Sequence, residues 1–278
     1  MFEKVNPAHP DKLADRIAGA IVDLVYYDQE GMLPFEIVPR IAVEVLVGHN
    51  SGSIIIETTS DSLKEKDVKD VLKRILGTDK NIKISINSQD PILSDSQEKA
   101  LRCGDNGIFL GVPISSEEKY LSNLAHKIYS KYPYDGKYIY DEKTDTAIIC
   151  QSNISNNASI KQLVNCSNII INPLGPWVGG TNVDTGATNR KLGSDMGAAI
   201  TGGGLHGKDL TKSDISVNIY VYLLAQEKNR PIEAYCSIGS EEVFCDGKYI
   251  KFKDIVKTAY DYIKSLGGFE TFAEWGLV

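Results

Sequence analysis

Paired runs of β-forming residues, each closed by a tight turn and set off by amphipathic stretches, constrain the fold of this chain more than anything else. IAVEVLVG at 41–48 and SIIIETT at 53–59 flank Gly48-His49-Asn50-Ser51-Gly52, a hairpin signature. KYIY at 137–140 and TAIICQ at 146–151 bracket a polar turn, and runs at 233–238, 242–244 and 249–250 repeat the pattern around Asp246-Gly247. Single strands are predicted at 82–86, in IFLGV at 108–112 and in NIIIN at 168–172. Between them, Leu13, Ile17, Ile21, Leu24 and Val25 recur at helical spacing after Pro10, which suits a first helical turn. Ser62 and Glu65 form a capping box before Val68, Val71, Leu72 and Ile75. Ser116 opens a helix with Leu121, Leu124, Ala125, Ile128 and Tyr132 inward. A short helix is expected near 161–164, another from Thr211 to about Gln226, and a last one over Phe252–Leu266. Hairpins alternate with helices without a βαβ rhythm and without a clean short repeat, so the expected class is α+β with largely antiparallel sheets.

The segment 169–214 carries the chemistry. It holds a dense set of glycines, vicinal Arg190 and Lys191, then Lys208 and Lys212, and the carboxylates Asp184, Asp195, Asp209 and Asp214. Close backbone approach and several fixed cations suit a polyphosphate, and interspersed carboxylates suit a hard cation such as Mg²⁺. Arg190 offers a bidentate grip, whereas Lys191, Lys208 and Lys212 act as point charges. Two familiar loops nearly match and fail. Gly202 to Gly207 satisfies G-x-G-x-x-G, but no strand precedes it and no acidic residue follows in a βαβ unit. Gly207-Lys208 nearly ends a Walker A motif, yet Asp209 stands where Ser or Thr is needed. Asp214 also reads as an ordinary first-turn residue of a helix capped by Thr211.

Composition narrows the partners. A net charge of −7 argues against nucleic acid or an anionic membrane as the main partner, and makes the local cations stand out. Five cysteines without a C-x-x-C pair and four histidines without ligand spacing suit reduced thiols and no zinc site. No apolar run reaches the roughly 20 residues of a membrane span, and the N-terminus lacks a signal-peptide core. A cytoplasmic protein is expected.

Other polar residues are ambiguous by themselves. His9, Asp11, Lys12 and Asp15 cluster at a helix start off its apolar stripe, which equally describes a solvated, capped terminus. Glu44 and Glu57, expected close to opposite each other in the hairpin, either face solvent or need a cation or donor. Cys103-Gly104-Asp105-Asn106-Gly107 reads as a turn.

Taken in order, AHPDK at 8–12, Glu44, ETT at 57–59, CGDNG at 103–107, DEK at 141–143, INPLG…W at 171–177, DTG…RK at 184–191 and GGG..GKD.TKSD at 202–214 resemble the S-adenosylmethionine synthetase (methionine adenosyltransferase) family. The resemblance runs from Pro7 to about Gly239. It implies three similar α+β units interleaved in one architecture, without contiguous domain boundaries. It implies a homodimer with active sites at the subunit interface, and a tetramer as a further option. The implied reaction is attack of methionine sulfur on C5′ of ATP, followed by hydrolysis of the expelled triphosphate to pyrophosphate and phosphate.

By the same resemblance His9, Lys143, Arg190 and Lys208 are the catalytic candidates, with His9 beside the oxygen that leaves C5′. Lys12, Asp141, Lys191 and Lys212 join Arg190 and Lys208 on ATP and its triphosphate, Trp177 stacks on adenine, and Ile238 lines the adenine pocket. Glu57, Asp105 and Asp184 contact methionine. Asp11 and Asp214 match Mg²⁺ ligands, with about two ions per site, and Glu44 matches a K⁺ site. The chain is shorter than typical members. Thr201 stands in place of a histidine, His206 and Asn189 replace smaller residues, and the loop glutamine near methionine has only Ser94 or Gln97 as counterparts. Those departures keep open an alternative: an ATP- or tripolyphosphate-hydrolysing or ATP-binding regulatory homologue without methionine chemistry.

Overall fold

The computed structural model describes residues 1–49, 51–79, 81–90, 100–199 and 203–278. Within it the hairpins become the centres of three four-stranded sheets. The first sheet pairs β4 (Ile41–Gly48) with β5 (Ser51–Thr58), adds β6 (Ile82–Ser88) beyond β5, and takes the short β11 (Gly186–Ala187) beside β4. The second runs β1 (Phe2–Val5), β8 (Gly136–Asp141), β9 (Thr146–Gln151), β10 (Asn168–Ile171). The third runs β7 (Gly107–Gly111), β12 (Ile232–Cys236), β13 (Glu242–Cys245), β14 (Lys248–Lys251). A small ribbon of β2 (Tyr27–Asp28) and β3 (Gly31–Met32) completes the strands among the described residues.

Each sheet borrows one edge strand from a distant part of the chain: β11, β1 and β7 respectively. A helix precedes each central hairpin: α1 (Pro10–Tyr26) before β4, α3 (Ser116–Lys131) before β8, α6 (Ser213–Lys228) before β12. The threefold likeness is therefore spatial, and the borrowed strands hide it from any short sequence period.

The sheets are largely antiparallel as expected, with two parallel pairings as exceptions. β6 runs parallel to β5, reached through α2 (Glu65–Leu76), and β10 runs parallel to β9, reached through the short α4 (Ala158–Lys161). Two crossovers of the βαβ kind are thus present, each disguised by a hairpin in front of it. The hairpin register also differs. Glu44 faces Ile55 and Glu57 faces Ala42, so the two glutamates are offset by one same-face step. The loop is tighter than expected, since β5 begins at Ser51 rather than at Ser53. α2 begins later than Ser62: Asp67 accepts the Lys64 N–H at 3.0 Å and caps it there. α4 precedes the expected 161–164, the short α5 (Leu192–Met196) follows β11, and α8 (Phe269–Trp275), after α7 (Phe252–Leu266), was not foreseen. Thr201 and the loop positions Ser94 and Gln97 lie outside the described residues.

α1 is the common support. Ala14, Ile17, Ala18, Ile21, Val22 and Val25 are buried against β4, β11, α2 and α8, whereas Leu24 is 40% exposed, off the expected stripe. Burying each Ile or Val side chain here contributes about 1.5–3 kcal/mol. One large core joins α1 to the first and third sheets, and a smaller one lies between α3 and the second sheet. The opposite sheet faces stay open in the single chain, exposing Leu46 and Ile55 in the first sheet, Ile170 in the second, and Ile108, Tyr235 and Tyr249 in the third. Among the described residues no helix is long and apolar enough to cross a membrane.

Candidate active site

The start of α1 is built to hold charge. His9 caps the helix, its Nδ1 accepting the Asp11 N–H at 3.2 Å, and Pro10 follows in the position where a missing N–H costs nothing. With Nδ1 as acceptor, the neutral ring carries its proton on Nε2 and presents it as a donor. Burial, then the Lys191 ammonium nearby, pulls the His9 pKa down to about 4, against the opposing pull of Asp11. The ring is therefore neutral near pH 7.

Asp11 is nearly buried at 2% exposure and accepts the Ala187 N–H at 3.0 Å and the Lys191 ammonium at 2.5 Å, with an Arg190 guanidinium nitrogen at 3.6 Å. Burial alone would raise its carboxyl; the Lys191 and Ala187 hydrogen bonds outweigh burial and hold it below the usual range. β11 reaches the helix because Gly186 has no side chain: a Cβ there would lie 2.0 Å from the Pro10 carbonyl oxygen. On the neighbouring loop, Lys208 is ion-paired with Asp214 in the first turn of α6, and Lys212 stands at that helix's start. The Lys208 segment is pinned by a bridge to Ala42 and by the Val43 N–H on Gly207 O at 2.7 Å.

Lys12 is placed otherwise than expected for a triphosphate contact. It is fully buried, with Nζ 2.7 Å from Asp195 Oδ1, 3.1 Å from Asp15 Oδ2 and 3.4 Å from His206 Nε2. His206 Nε2 in turn lies 2.9 Å from Asp195 Oδ2. Asp15, Asp195 and His206 have the spacing of a metal cage, but the Lys12 ammonium stands among them and supplies the cation itself. Burial would raise Asp195; Lys12 and His206 reverse that and hold its carboxyl far below the usual range. Burial drives Asp15 the other way, above it. A second buried lysine, Lys4, donates to the Ser194, Trp275 and Val278 carbonyls, and burial lowers its pKa to about 7.

The remaining candidates form separate groups. Asp184 is exposed beside β11, and its charge, with that of Asp11, adds to the burial that raises buried Asp135 to about 6, despite the Gly180 N–H at 3.1 Å. Trp177 donates its indole N–H to Asn172 at 3.2 Å on the same loop system. Glu44, exposed on its sheet face, accepts the Thr188 hydroxyl, and Glu57 is exposed on the same face. Asp105 and Ile238 are joined through Asn106, whose Oδ1 accepts the Ile238 N–H at 2.8 Å. Asp141 takes the Lys143 N–H and the Thr144 hydroxyl in the β8–β9 turn, leaving Lys143 exposed. Among the described residues no hydrogen bond or ion pair links these last two groups to the His9–Asp11 cluster.

Sequence reasoning did not foresee Asp135 or the Asp15–Asp195–His206 cluster. The signal for the latter was Lys12 and Asp15 at i, i+3 on a helix whose neighbours are apolar.

A scan against models of known families matches none. Among curated proteins, the chain is 30% identical to S-adenosylmethionine synthase of Borrelia garinii subsp. bavariensis, over 77% of this chain and 69% of that protein. It is 27% identical to the S-adenosylmethionine synthase of Mycoplasma mycoides subsp. mycoides, over 77% and 68%. Its fold is similar to that of an unusual S-adenosylmethionine synthetase from Campylobacter jejuni, with a TM-score of 0.72 at 22% identity over 100% of this chain and 94% of the other. The chain belongs to the S-adenosylmethionine synthase family and is an enzyme of the transferase class.

Proposed function

We propose that the chain is a methionine adenosyltransferase. The sulfur lone pair of methionine forms the S–C5′ bond as the C5′–O bond of ATP breaks, and the electron pair leaves with the triphosphate. A thioether has no proton to remove, so the task is alignment and neutralisation of a leaving group carrying about four negative charges. The observation that carries this reading is the neutral His9 set against the Asp11–Lys191–Arg190 cluster. The His9 Nε2–H donates to the departing oxygen, Arg190 grips phosphate oxygens bidentately, and Lys143, Lys191, Lys208 and Lys212 add point charges. Trp177 and Ile238 provide the apolar surfaces for adenine, Asp141 an acceptor near it, and Glu57, Asp105 and Asp184 the carboxylates for methionine.

Asp11 and Asp214 fit Mg²⁺ as hard anionic oxygen donors, each now neutralised by a lysine whose flexible stem can pass to phosphate. Mg²⁺ held there supplies charge neutralisation on the triphosphate. Glu44, whose carboxylate is fixed by Thr188, is an oxygen donor suited to K⁺. The absence, among the described residues, of any hydrogen bond or ion pair joining the Asp105–Ile238 and Asp141–Lys143 groups to the His9–Asp11 cluster, together with the open apolar sheet faces, supports an active site assembled between two copies of the chain.

Incubation with ATP, L-methionine, Mg²⁺ and K⁺, followed by mass measurement, tests this. S-adenosylmethionine with pyrophosphate and phosphate is expected. Triphosphate cleavage without S-adenosylmethionine would instead favour the hydrolytic alternative.

A further inference from the structure

Asn189 and His206 sit on different loops and close on each other. The Asn189 amide takes both main-chain groups of His206: Oδ1 accepts its N–H at 2.9 Å and Nδ2 donates to its carbonyl at 3.2 Å. Asn189 has φ +61°, a left-handed conformation that asparagine adopts more readily than most residues. Its own N–H donates to Asp15 Oδ1 at 2.8 Å. The His206 ring is tied at the other end to Asp195, and packs at 5.3 Å against Phe272. Gly204 makes room for the clasp, since a Cβ there would lie 2.5 Å from the Asn189 amide.

The polyphosphate candidates hang directly on this ring of contacts. Arg190 follows Asn189 in the chain, and Lys208 follows His206 by two residues. Residues 187, 189 and 191 are all held by α1 carboxylates, with Asp11 taking Ala187 and Lys191 and Asp15 taking Asn189. Among the described residues the lysine of the second loop pairs with Asp214, and that loop meets α1 through the His206 ring, 3.4 Å from the Lys12 ammonium. Both loops also hang on β4, through Ala187 on one side and Gly207 on the other, and the clasp adds a direct side-chain link between them.

We infer that Asn189 and His206 are paired positioning residues, fixing the spacing of Arg190 and Lys191 relative to Lys208 and so the affinity of the site for the triphosphate. The inference rests on the proposed ATP chemistry. Neither residue touches the reacting atoms.

Asn189→Gly keeps the left-handed backbone and removes the clasp, while His206→Ser frees the loop from Asp195. Inorganic tripolyphosphate binding by calorimetry and steady-state kinetics on the full chain test the pair. In Asn189→Gly, tripolyphosphate affinity should fall and the KM for ATP rise by about 5–20-fold, 1–2 kcal/mol by the usual conversion, with the KM for methionine within about twofold. The double variant should fall short of the product of the two single effects, because the Asn189 bonds to the His206 main chain and the His206 ring on Asp195 hold the same loop. Multiplying effects, equal rises in both KM values, or tripolyphosphate affinity unchanged in Asn189→Gly would overturn the inference while leaving the reaction intact. If His206→Ser fails to fold, the Asn189→Gly split between the two KM values decides alone. A wild-type chain that binds no tripolyphosphate would overturn the proposed reaction, and the inference with it.

Discussion

The Lys12 ammonium lies 2.7 Å from the Asp195 carboxylate with both side chains buried, so a lysine that ends the AHPDK motif works inside the fold. Replacing it with methionine keeps the volume but leaves Asp15 and Asp195 without their cation. Breaking such a pair costs about 3–5 kcal/mol. Lys12→Met should therefore lower the denaturant midpoint steeply. A variant of wild-type stability with weakened ATP binding would restore Lys12 to the triphosphate.

Asp11 and Asp214 carry the metal reading, and Asp214 has a rival explanation as a first-turn residue of α6. Asn at either position preserves shape and removes the anionic donor. Half-saturation by Mg²⁺ should rise by about 10–100-fold, with slower turnover at fixed Mg²⁺. Unchanged Mg²⁺ dependence in Asp214→Asn would return that residue to helix stabilisation alone.

His9 gives a pH signature. An ordinary histidine takes up a proton near pH 6.5, whereas burial and Lys191 hold this one to about 4. The folded chain then binds fewer protons than the unfolded chain between those values. Stability from this group is present above pH 6.5 and is lost as pH falls toward 4. The His9 ring signals in NMR should stay constant from pH 7.5 to 5.5, and His9→Ala should lower kcat by about 10²–10³-fold. Titration near pH 6.5 would place the ring in solvent.

Much of this was legible in sequence, for physical reasons that differ by element. The β4–β5 and β8–β9 hairpins and the helices after Pro10 and Ser115 announced themselves through periodicity and turn chemistry, which are local. The β5–β6 and β9–β10 parallel pairs did not, because direction is set by a crossover that leaves no mark on the strands. The borrowed strands β1 and β11 were equally hidden, and β7, expected as a strand at 108–112, carried no sign of the sheet it joins. In the candidate site, Asp11, Arg190 and Lys208 were singled out by type and order, and the fold brings Arg190 to 3.6 Å from Asp11. Asp15, Asp195 and Asn189 act on protein groups brought from remote segments, so nothing beside them in sequence states their partners.

Asp135 offers a second titration with the opposite sign. Burial, reinforced by the charges of Asp184 and Asp11, raises its carboxyl from the ordinary 3.8 to about 6. The folded chain binds the proton more tightly than the unfolded one, so the contribution is full below pH 3.8 and is lost as pH rises through 6. Asp135→Asn keeps an acceptor for the Gly180 N–H and removes the buried charge. Its melting temperature should exceed wild type by a few degrees at pH 8 and match it below pH 4, as scanning calorimetry can read.

The open face of the first sheet is the last test. Leu46 and Ile55, 52% and 50% exposed, lie on the face that carries Glu44 and Glu57. Apolar residues alternating with carboxylates on an uncovered sheet suit burial against another sheet rather than solvent. If that partner is a second copy, Leu46→Glu with Ile55→Lys should place charges in the interface without disturbing the helix-covered side. Sedimentation should then show the single-chain mass of 30.5 kDa in place of a doubled one, with unchanged circular dichroism and synthesis of S-adenosylmethionine lost. A monomeric variant with full activity would show that one chain holds the whole site, and the Asp105 and Lys143 groups would then have to reach His9 by closure within a single copy.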